Sequence, residues 1–304
     1  MIVLLGATRD KTMAHTAAMA RGHDVPFLFF DVQRYLDEGG WIWDGEAREG
    51  RLWYGETVLE LSKLSVSGIY SRLIDTTELL PAEARGAARA RLRALVEMLG
   101  ACEITVVNRP RSEPSNGSKL YHLWVLAGFR FTTPPSLLTN FGEPLSDFLE
   151  QNGRVLYKGA SSEKTIVSPF TDAEAARVNS LRNSPVLFQA YVPGVDVRLH
   201  LVRGEPIAVS VTPERSEDSL VVDYRFDPSP KRYAVVPVPD DVLASCHAYQ
   251  AWSGLDFIGF DFRVSQKGWT VLEANPMPGY ESYDRRADNR ISEALLSVLG
   301  VRMT

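Results

Sequence analysis

The segment GFDFRVSQKGWTVLEAN, residues 259–275, constrains the fold more than any other part of the chain. Its two runs, GFDFRVS and WTVLEAN, alternate apolar and polar residues with the period-two pattern of half-buried strands. Between them Gln266, Lys267 and Gly268 predict a three-residue hairpin loop, with Gly268 in the left-handed conformation. That register sets Ser265 opposite Trp269, Arg263 opposite Val271 and Asp261 opposite Glu273. The two-residue repeat brings Asn275 onto the face of Glu273. Two carboxylates and an amide therefore share one patch of a sheet, where like charges directly opposite destabilise the pair. At about 5 Å and an effective dielectric of about 20, the repulsion is roughly 3 kcal/mol. Two readings relieve it. Arg263, diagonal to the pair, can complete a surface salt-bridge cluster. Alternatively a hard divalent cation, Mg2+ or Mn2+, sits among oxygen ligands and keeps positions for water and phosphate. The PMPG turn after Asn275 predicts an irregular loop that starts a substrate-facing segment.

With 304 residues, 45% of them hydrophobic, the chain can bury a large core spread over more than one domain. A net charge of -5, from 33 basic and 38 acidic residues, supplies no polybasic surface, so no nucleic-acid partner is expected. The one arginine-rich run, ARGAARARLRALVEMLG, sets Leu92, Leu95, Val96 and Leu99 at helical spacing and its arginines on a solvated face. Cys102 and Cys246 form no disulfide framework and lie in no metal-type spacing, so both read as small buried residues. No apolar run approaches a membrane span, and MIVLLGATRDK carries no basic leader. A soluble, cytoplasmic protein without a membrane partner is expected.

IVLLG, a polar helical stretch and DVPFLFFD read as strand, helix, strand, the opening of an α/β domain with a parallel sheet. GATRD lacks the glycine spacing of a dinucleotide fingerprint. Residues 41–61 predict a hairpin carrying Trp41, Trp43, Trp53 and Tyr54, and VSGIYSRLI a short strand ending near Arg72. After the strand EITVVN, a Pro/Ser/Asn-rich connection marks a domain boundary near residue 110. SKLYHLWVLAGF predicts a helix with Leu120, Leu123, Trp124 and Ala127 on one face and Gly128 at its end. VLFQAYVPGVDVRLHLVRGEPIAVSVT reads as a three-stranded antiparallel meander. There is no internal repeat, no G-x-S-x-G elbow and no Walker A loop.

Other polar residues stand out singly. Lys158 ends RVLYK and opens GASSEKT, which is either a phosphate clamp or an ordinary surface hairpin. Lys119 lies in the first turn of its helix, where a cation opposes the macrodipole unless an anion is near. Asp196, Arg198 and His200 alternate with Val197, Leu199 and Leu201, and the face they share is ordinarily solvent, which makes His200 a surface residue.

Taken in order, SKLYHLWVLAGFRFTTPPSLLTN, VLYKGASSEKT, FQAYVPGVDVRLHLV and LDFIGFDFRV…VLEANPMPG resemble an ATP-grasp ligase, nearest to the RimK-like and peptide-modifying branches. The resemblance runs from Asn116 to the last residue. It implies an α/β (α+β) chain with the ATP-grasp fold, in which residues 1–110 form an N-terminal α/β domain and residues 111–304 the ATP-grasp region. Within that region it implies a lid subdomain at 136–192 and a C-terminal subdomain at 193–304, with ATP between two antiparallel sheets. By the same resemblance Lys119 and Lys158 touch the ATP phosphates, and the lid GASSEKT, which has a single glycine, adds Ser161 and Ser162. Gln189, Ala190, Tyr191 and Val192 form the hinge at the adenine edge, and Asp196 holds the ribose hydroxyls. Arg198 is aimed at the γ-phosphate and the acyl-phosphate, while Asp261, Glu273 and Asn275 hold Mg2+ (or Mn2+), with Arg263 assisting.

The implied activity is an ATP-dependent carboxylate–amine ligase that forms an amide through an acyl-phosphate and releases ADP and phosphate. One alternative keeps the fold and cross-links side chains of a ribosomal precursor peptide. Another, of a different class, is a catalytically silent nucleotide-binding regulatory module. The substrates expected are amino acids or peptides. Arg72, Tyr280, Tyr283, Arg285 and Arg286 are candidates for gripping a substrate carboxylate, set against the reading of the arginines as ordinary surface residues. A homodimer is among the assemblies expected.

Overall fold

The computed structural model describes residues 1–110, 112, 115–159, 167–214, 224 and 227–301. Strand β1 (Ile2–Gly6) is apolar and buried along its length, as a central parallel strand with both faces covered must be. Helix α1 (Lys11–Gly22) starts at Asp10, whose carboxylate accepts from the Thr12 and Met13 amides. Strand β2 (Phe27–Asp31) lies parallel to β1, and Asp31 caps α2 (Val32–Glu38) in the same way. Strands β3 (Gly40–Asp44), β4 (Glu49–Tyr54) and β5 (Thr57–Leu61) form an antiparallel meander, one strand more than the expected hairpin. Gly55, at φ 49°, makes the extra reversal between β4 and β5. Strand β6 (Gly68–Ser71), α3 (Ala82–Ala101) and β7 (Thr105–Val107) complete a parallel sheet ordered β2-β1-β6-β7. Helix α3 buries Ala88, Leu95, Met98 and Leu99, while Arg91 donates to the carbonyls of Leu36, Asp37 and Gly39 at the open end of α2.

Helix α4 (Lys119–Gly128) turns a different face inward from the one its apolar residues predict. His122, Leu123, Val125 and Leu126 are buried, whereas Trp124 is 71% exposed and stacks on Tyr121. The inward rotation follows His122, which bonds Ser115 Oγ (2.8 Å) and accepts from the Ala274 amide (2.9 Å). A polar residue with two buried partners outweighs an indole at the surface.

Strands β8 (Ser136–Thr139), β9 (Val155–Gly159), β10 (Ser168–Pro169) and β11 (Val186–Ala190), with α5 (Glu143–Asn152) and α6 (Asp172–Ala175), build an antiparallel sheet ordered β10-β9-β11-β8. Strands β12 (Val195–Val202), β13 (Glu205–Pro213), β14 (Lys231–Val235), β15 (Phe257–Ser265) and β16 (Gly268–Asn275) build the largest sheet, ordered β14-β13-β12-β15-β16. The expected three-stranded meander is therefore divided, because β11 belongs to one sheet and β12 and β13 to another. Pro193 and Gly194, the latter at φ 137°, break the run between them. Helices α7 (Asp240–Ser253), α8 (Glu281–Asp284) and α9 (Arg290–Val298) complete the chain.

One face of the large sheet packs Val197, Leu199, Ile258, Phe260 and Phe262 with Val125 and Leu126 of α4 and Tyr249 of α7. On the other face Val202, Ile207, Val209 and Phe257 join Ile2, Leu4, Ile291 and Leu295 in a core shared with the parallel sheet. Asn108 ties the two sheets together, donating to the carbonyls of Phe257 and Pro276 (both 2.6 Å) and accepting from the Phe257 amide. Cys102 and Cys246 are both buried free thiols. No helix among the described residues is long and apolar enough to cross a membrane.

Candidate active site

The β15–β16 hairpin reaches the expected pairing by a different route. Its turn has two residues, Gln266 and Lys267, so that Ser265 faces Gly268, Val264 faces Trp269 and Arg263 faces Thr270. Gly268 has φ 110°, within the left-handed region predicted for it. One residue later in register, Phe262 faces Val271, and a bulge then restores Asp261 opposite Glu273. The bulge falls at Leu272 and reverses the parity of β16. Val271 and Ala274 both enter the core, while Glu273 and Asn275 share the face of Asp261. Asn275 Nδ2 donates to Asp261 Oδ2 at 3.2 Å.

The arginine bonded to Asp261 is Arg198, not Arg263 as expected. Arg198 of β12 lies directly opposite Asp261 of β15 and bonds its Oδ1 at 2.6 Å. Arg263 lies across from Asp196, bonding its Oδ2 at 2.8 Å, and also donates to the Val192 carbonyl (3.0 Å) and the Tyr191 hydroxyl (3.1 Å). Both guanidinium groups are buried. Arg263 thus fastens Asp196 and the Tyr191–Val192 segment, and it is Arg198 that offsets the Asp261–Glu273 repulsion. The shared face is buried at Arg198 and His200 and half-buried at Asp196, not solvated as β-sheet alternation alone suggests. Residues 277–283 cover it: His200 bonds Gly279 O, and its ring lies 5.3 Å from that of Tyr283.

The central sheet supplies the opposite wall. Alternation along β9 sends Val155 and Tyr157 to the small core and Leu156 and Lys158 to the cleft. Leu156, Lys158, Gln189, Ala190, Tyr191, Val192, Asp196, Asp261, Arg263 and Glu273 line one cleft of about 890 Å³ including its open mouth. Lys119 reaches the same place from α4, its Nζ 3.4 Å from the Gly159 carbonyl. Burial holds the Lys158 ammonium below the ordinary lysine range, the Glu273 carboxylate opposes that shift, and Lys119 adds to it. Lys119 is lowered by burial and likewise supported by Glu273. Buried Lys158 faces the Glu273 carboxylate across the cleft, and the more exposed Lys119 also feels its charge. Tyr224, which no sequence pattern marked, also lines the cleft and bonds the Tyr283 hydroxyl. Burial raises the pKa of both phenols, so they stay protonated.

The remaining candidates sit elsewhere. Arg72 is buried, bonded to Asp10 Oδ2 (2.8 Å) and to the carbonyls of Met277 and Pro278. Tyr280 is fully buried against Thr16 Oγ1 at 2.7 Å. Both brace the PMPG loop against the N-terminal α/β elements. Arg285 is exposed, as is Arg286, which lies 4.4 Å over the Tyr233 ring. Ser161 and Ser162 lie outside the described residues. Among the described residues no group of three or more His, Cys, Asp or Glu side chains is placed to hold a metal ion. Asp261, Glu273 and Asn275 offer two carboxylates and an amide. That donor set fits Mg2+ or Mn2+ completed by phosphate and water rather than a closed protein cage.

No family model and no curated protein matches the chain. Solved structures match it over nearly its whole length. The ATP-grasp ligase PsnB, complexed with a minimal precursor, is 22% identical with a TM-score of 0.80, covering 98% of this chain and 97% of that one. The macrocyclase MdnC from Microcystis aeruginosa MRC, bound to precursor peptide MdnA, is 19% identical with a TM-score of 0.80 and 99% of both chains covered. The RiPP-associated ATP-grasp ligase of Chryseobacterium gregarium is 18% identical with a TM-score of 0.79, covering 99% and 97%. The sheets, their order and these matches agree: the chain has the ATP-grasp fold.

Proposed function

We propose that the protein is an ATP-dependent carboxylate–amine ligase, forming an amide through an acyl-phosphate and releasing ADP and phosphate. One observation carries the reading. Lys158 from the central sheet and Glu273 from the large sheet face each other across a cleft that also holds Asp196, Asp261 and the hinge. Phosphoryl transfer asks a protein for positioning and charge neutralisation more than for a nucleophile. Lys158 and Lys119 would bind phosphate oxygens, which restores to each ammonium the solvation that burial removes. Gln189 to Val192 would present backbone to the adenine edge, and Asp196, held by Arg263, would take the ribose hydroxyls. Asp261, Glu273 and Asn275 would hold Mg2+ or Mn2+, which spreads positive charge over the phosphates. Arg198, anchored on Asp261, would face the transferring phosphoryl group and the acyl-phosphate. In this reading residues 1–110 and 279–290 bound the acceptor side, 136–192 form the lid subdomain and 193–304 the C-terminal subdomain.

A peptide substrate is the narrower reading. It is favoured by the near-complete coverage of ligases whose structures contain precursor peptides, one of them a macrocyclase. In that case a side-chain carboxylate is activated and a side chain of the same peptide attacks it. Mass spectrometry after incubation with Mg2+, ATP and acidic precursor-type peptides is the test. Loss of one water per linkage, with one ADP released each time, supports cross-linking. ADP release that instead requires two free amino acids would place the enzyme with free-acid ligases. ATP binding without turnover on any acid would favour a regulatory module.

A further inference from the structure

His200 has no part in the reaction as outlined, yet it is fully buried beside Arg198 on β12. Its Nε2 lies 3.3 Å from the carbonyl oxygen of Gly279. A carbonyl only accepts, so Nε2 carries the hydrogen and a neutral ring has a bare lone pair on Nδ1. Burial first, and then the Arg198 charge, hold the imidazole pKa well below 6.5, which keeps the ring neutral. Among the described residues that buried Nδ1 has no partner. Arg198 shows the complementary defect. Its Nη1 is engaged by Asp261, while its buried Nε donates to nothing among the described residues. Two residues apart on one strand face, their Cα atoms lie about 7 Å apart. One orphan is a donor and the other an acceptor, and each unmet group carries its full desolvation penalty. A single water that accepts from Nε and donates to Nδ1 satisfies both.

We infer that a water molecule is held between Arg198 Nε and His200 Nδ1, and that His200 is thereby a positioning residue setting the plane of the Arg198 guanidinium against Asp261. The catalytic consequence rests on the ligase reading; the water and the tautomer do not. His200→Asn keeps an acceptor near Nδ1, whereas His200→Gln keeps a donor near Nε2 and loses that acceptor. The glutamine variant is expected to lower kcat for ADP release by about 10- to 100-fold with little change in KM for ATP, and the asparagine variant to recover most of it. Nitrogen NMR of the unsubstituted protein is expected to find Nε2 protonated and Nδ1 bare, and a crystal structure to show a water bonded to both atoms. A protonated Nδ1, a dry gap, or full activity in His200→Gln overturns the inference. Absence of ADP release from the unsubstituted protein on every substrate would sink the ligase reading alone, since NMR and crystallography still decide the water.

Discussion

Replacing Gly259 by alanine tests whether Arg198 works through its position or merely through its charge. Gly259 sits on β15 opposite Asn275, with the Arg198 guanidinium lying over it. An added Cβ would stand 2.4 Å from Arg198 Nη2, 2.7 Å from its Cζ and 2.6 Å from Pro278 Cβ. To bring that nitrogen to ordinary contact near 3.4 Å the guanidinium must retreat by about 1 Å. It is buried, and Pro278 crowds the same added carbon. The displacement therefore falls on the 2.6 Å bond to Asp261 Oδ1, which stretches to roughly the limit of hydrogen bonding. Overpacking of this kind costs about 1–3 kcal/mol of stability. A shift approaching 1 Å in a charge-stabilising group costs on the order of 100-fold in rate. Urea unfolding and ADP release measure the two effects on one preparation. Gly86→Ala is the control: it lies inside α3 with no atom within 4 Å of the added carbon, so it should gain about 0.5–1 kcal/mol and keep full activity. A Gly259→Ala protein with unaltered turnover and stability would refute the view that Arg198 is held in one place.

Arg263→Lys keeps a charge and loses the fork that reaches Asp196, Val192 and Tyr191 together. ATP affinity, measured by calorimetry, should weaken by about 10- to 100-fold, or roughly 1.4–2.8 kcal/mol. Lys158→Met should change how stability depends on pH. Burial depresses the folded pKa of Lys158 below its unfolded value of 10.5, against the pull of Glu273. Between those two values the unfolded chain binds more protons, so stability due to this group rises with pH through the window and is lowest below it. The methionine variant should lack that rise in urea unfolding followed towards pH 10.5, and an identical slope in both proteins would contradict it.

Much of this architecture is legible in the residues because it depends on local patterning. β1 and β15 announce themselves by unbroken and alternating apolar runs, and Asp261, Glu273 and Asn275 by their intrusion into such a run. The hairpin register was less accessible. A two-residue turn and a bulge at Leu272 shift the pairing in opposite senses, so the Asp261–Glu273 pair comes out as expected although four intervening pairs do not. Nothing in the composition of β16 distinguishes a bulged leucine from a paired one. The neighbours of Arg198 and Arg263 depend on the register of β12 against β15, two segments more than fifty residues apart. The burial of His200 depends on residues 277–283 folding back over β12. The inward face of α4 turned on a histidine whose partners, Ser115 and the Ala274 amide, come from outside the helix. Long-range partners decide such details, and periodicity within one segment carries no information about them.

ADP formation with Mg2+ and ATP across acidic precursor-type peptides, in the unsubstituted protein and in Glu273→Ala, tests the central claim most directly. Glu273 faces both Asp261 and the two lysines, so its loss would remove a proposed metal ligand and the carboxylate supporting Lys158. The account predicts ADP release that needs Mg2+ and a suitable peptide in the unsubstituted protein, and none in a Glu273→Ala protein that still folds. Failure to bind ATP, or undiminished turnover in the variant, would contradict it.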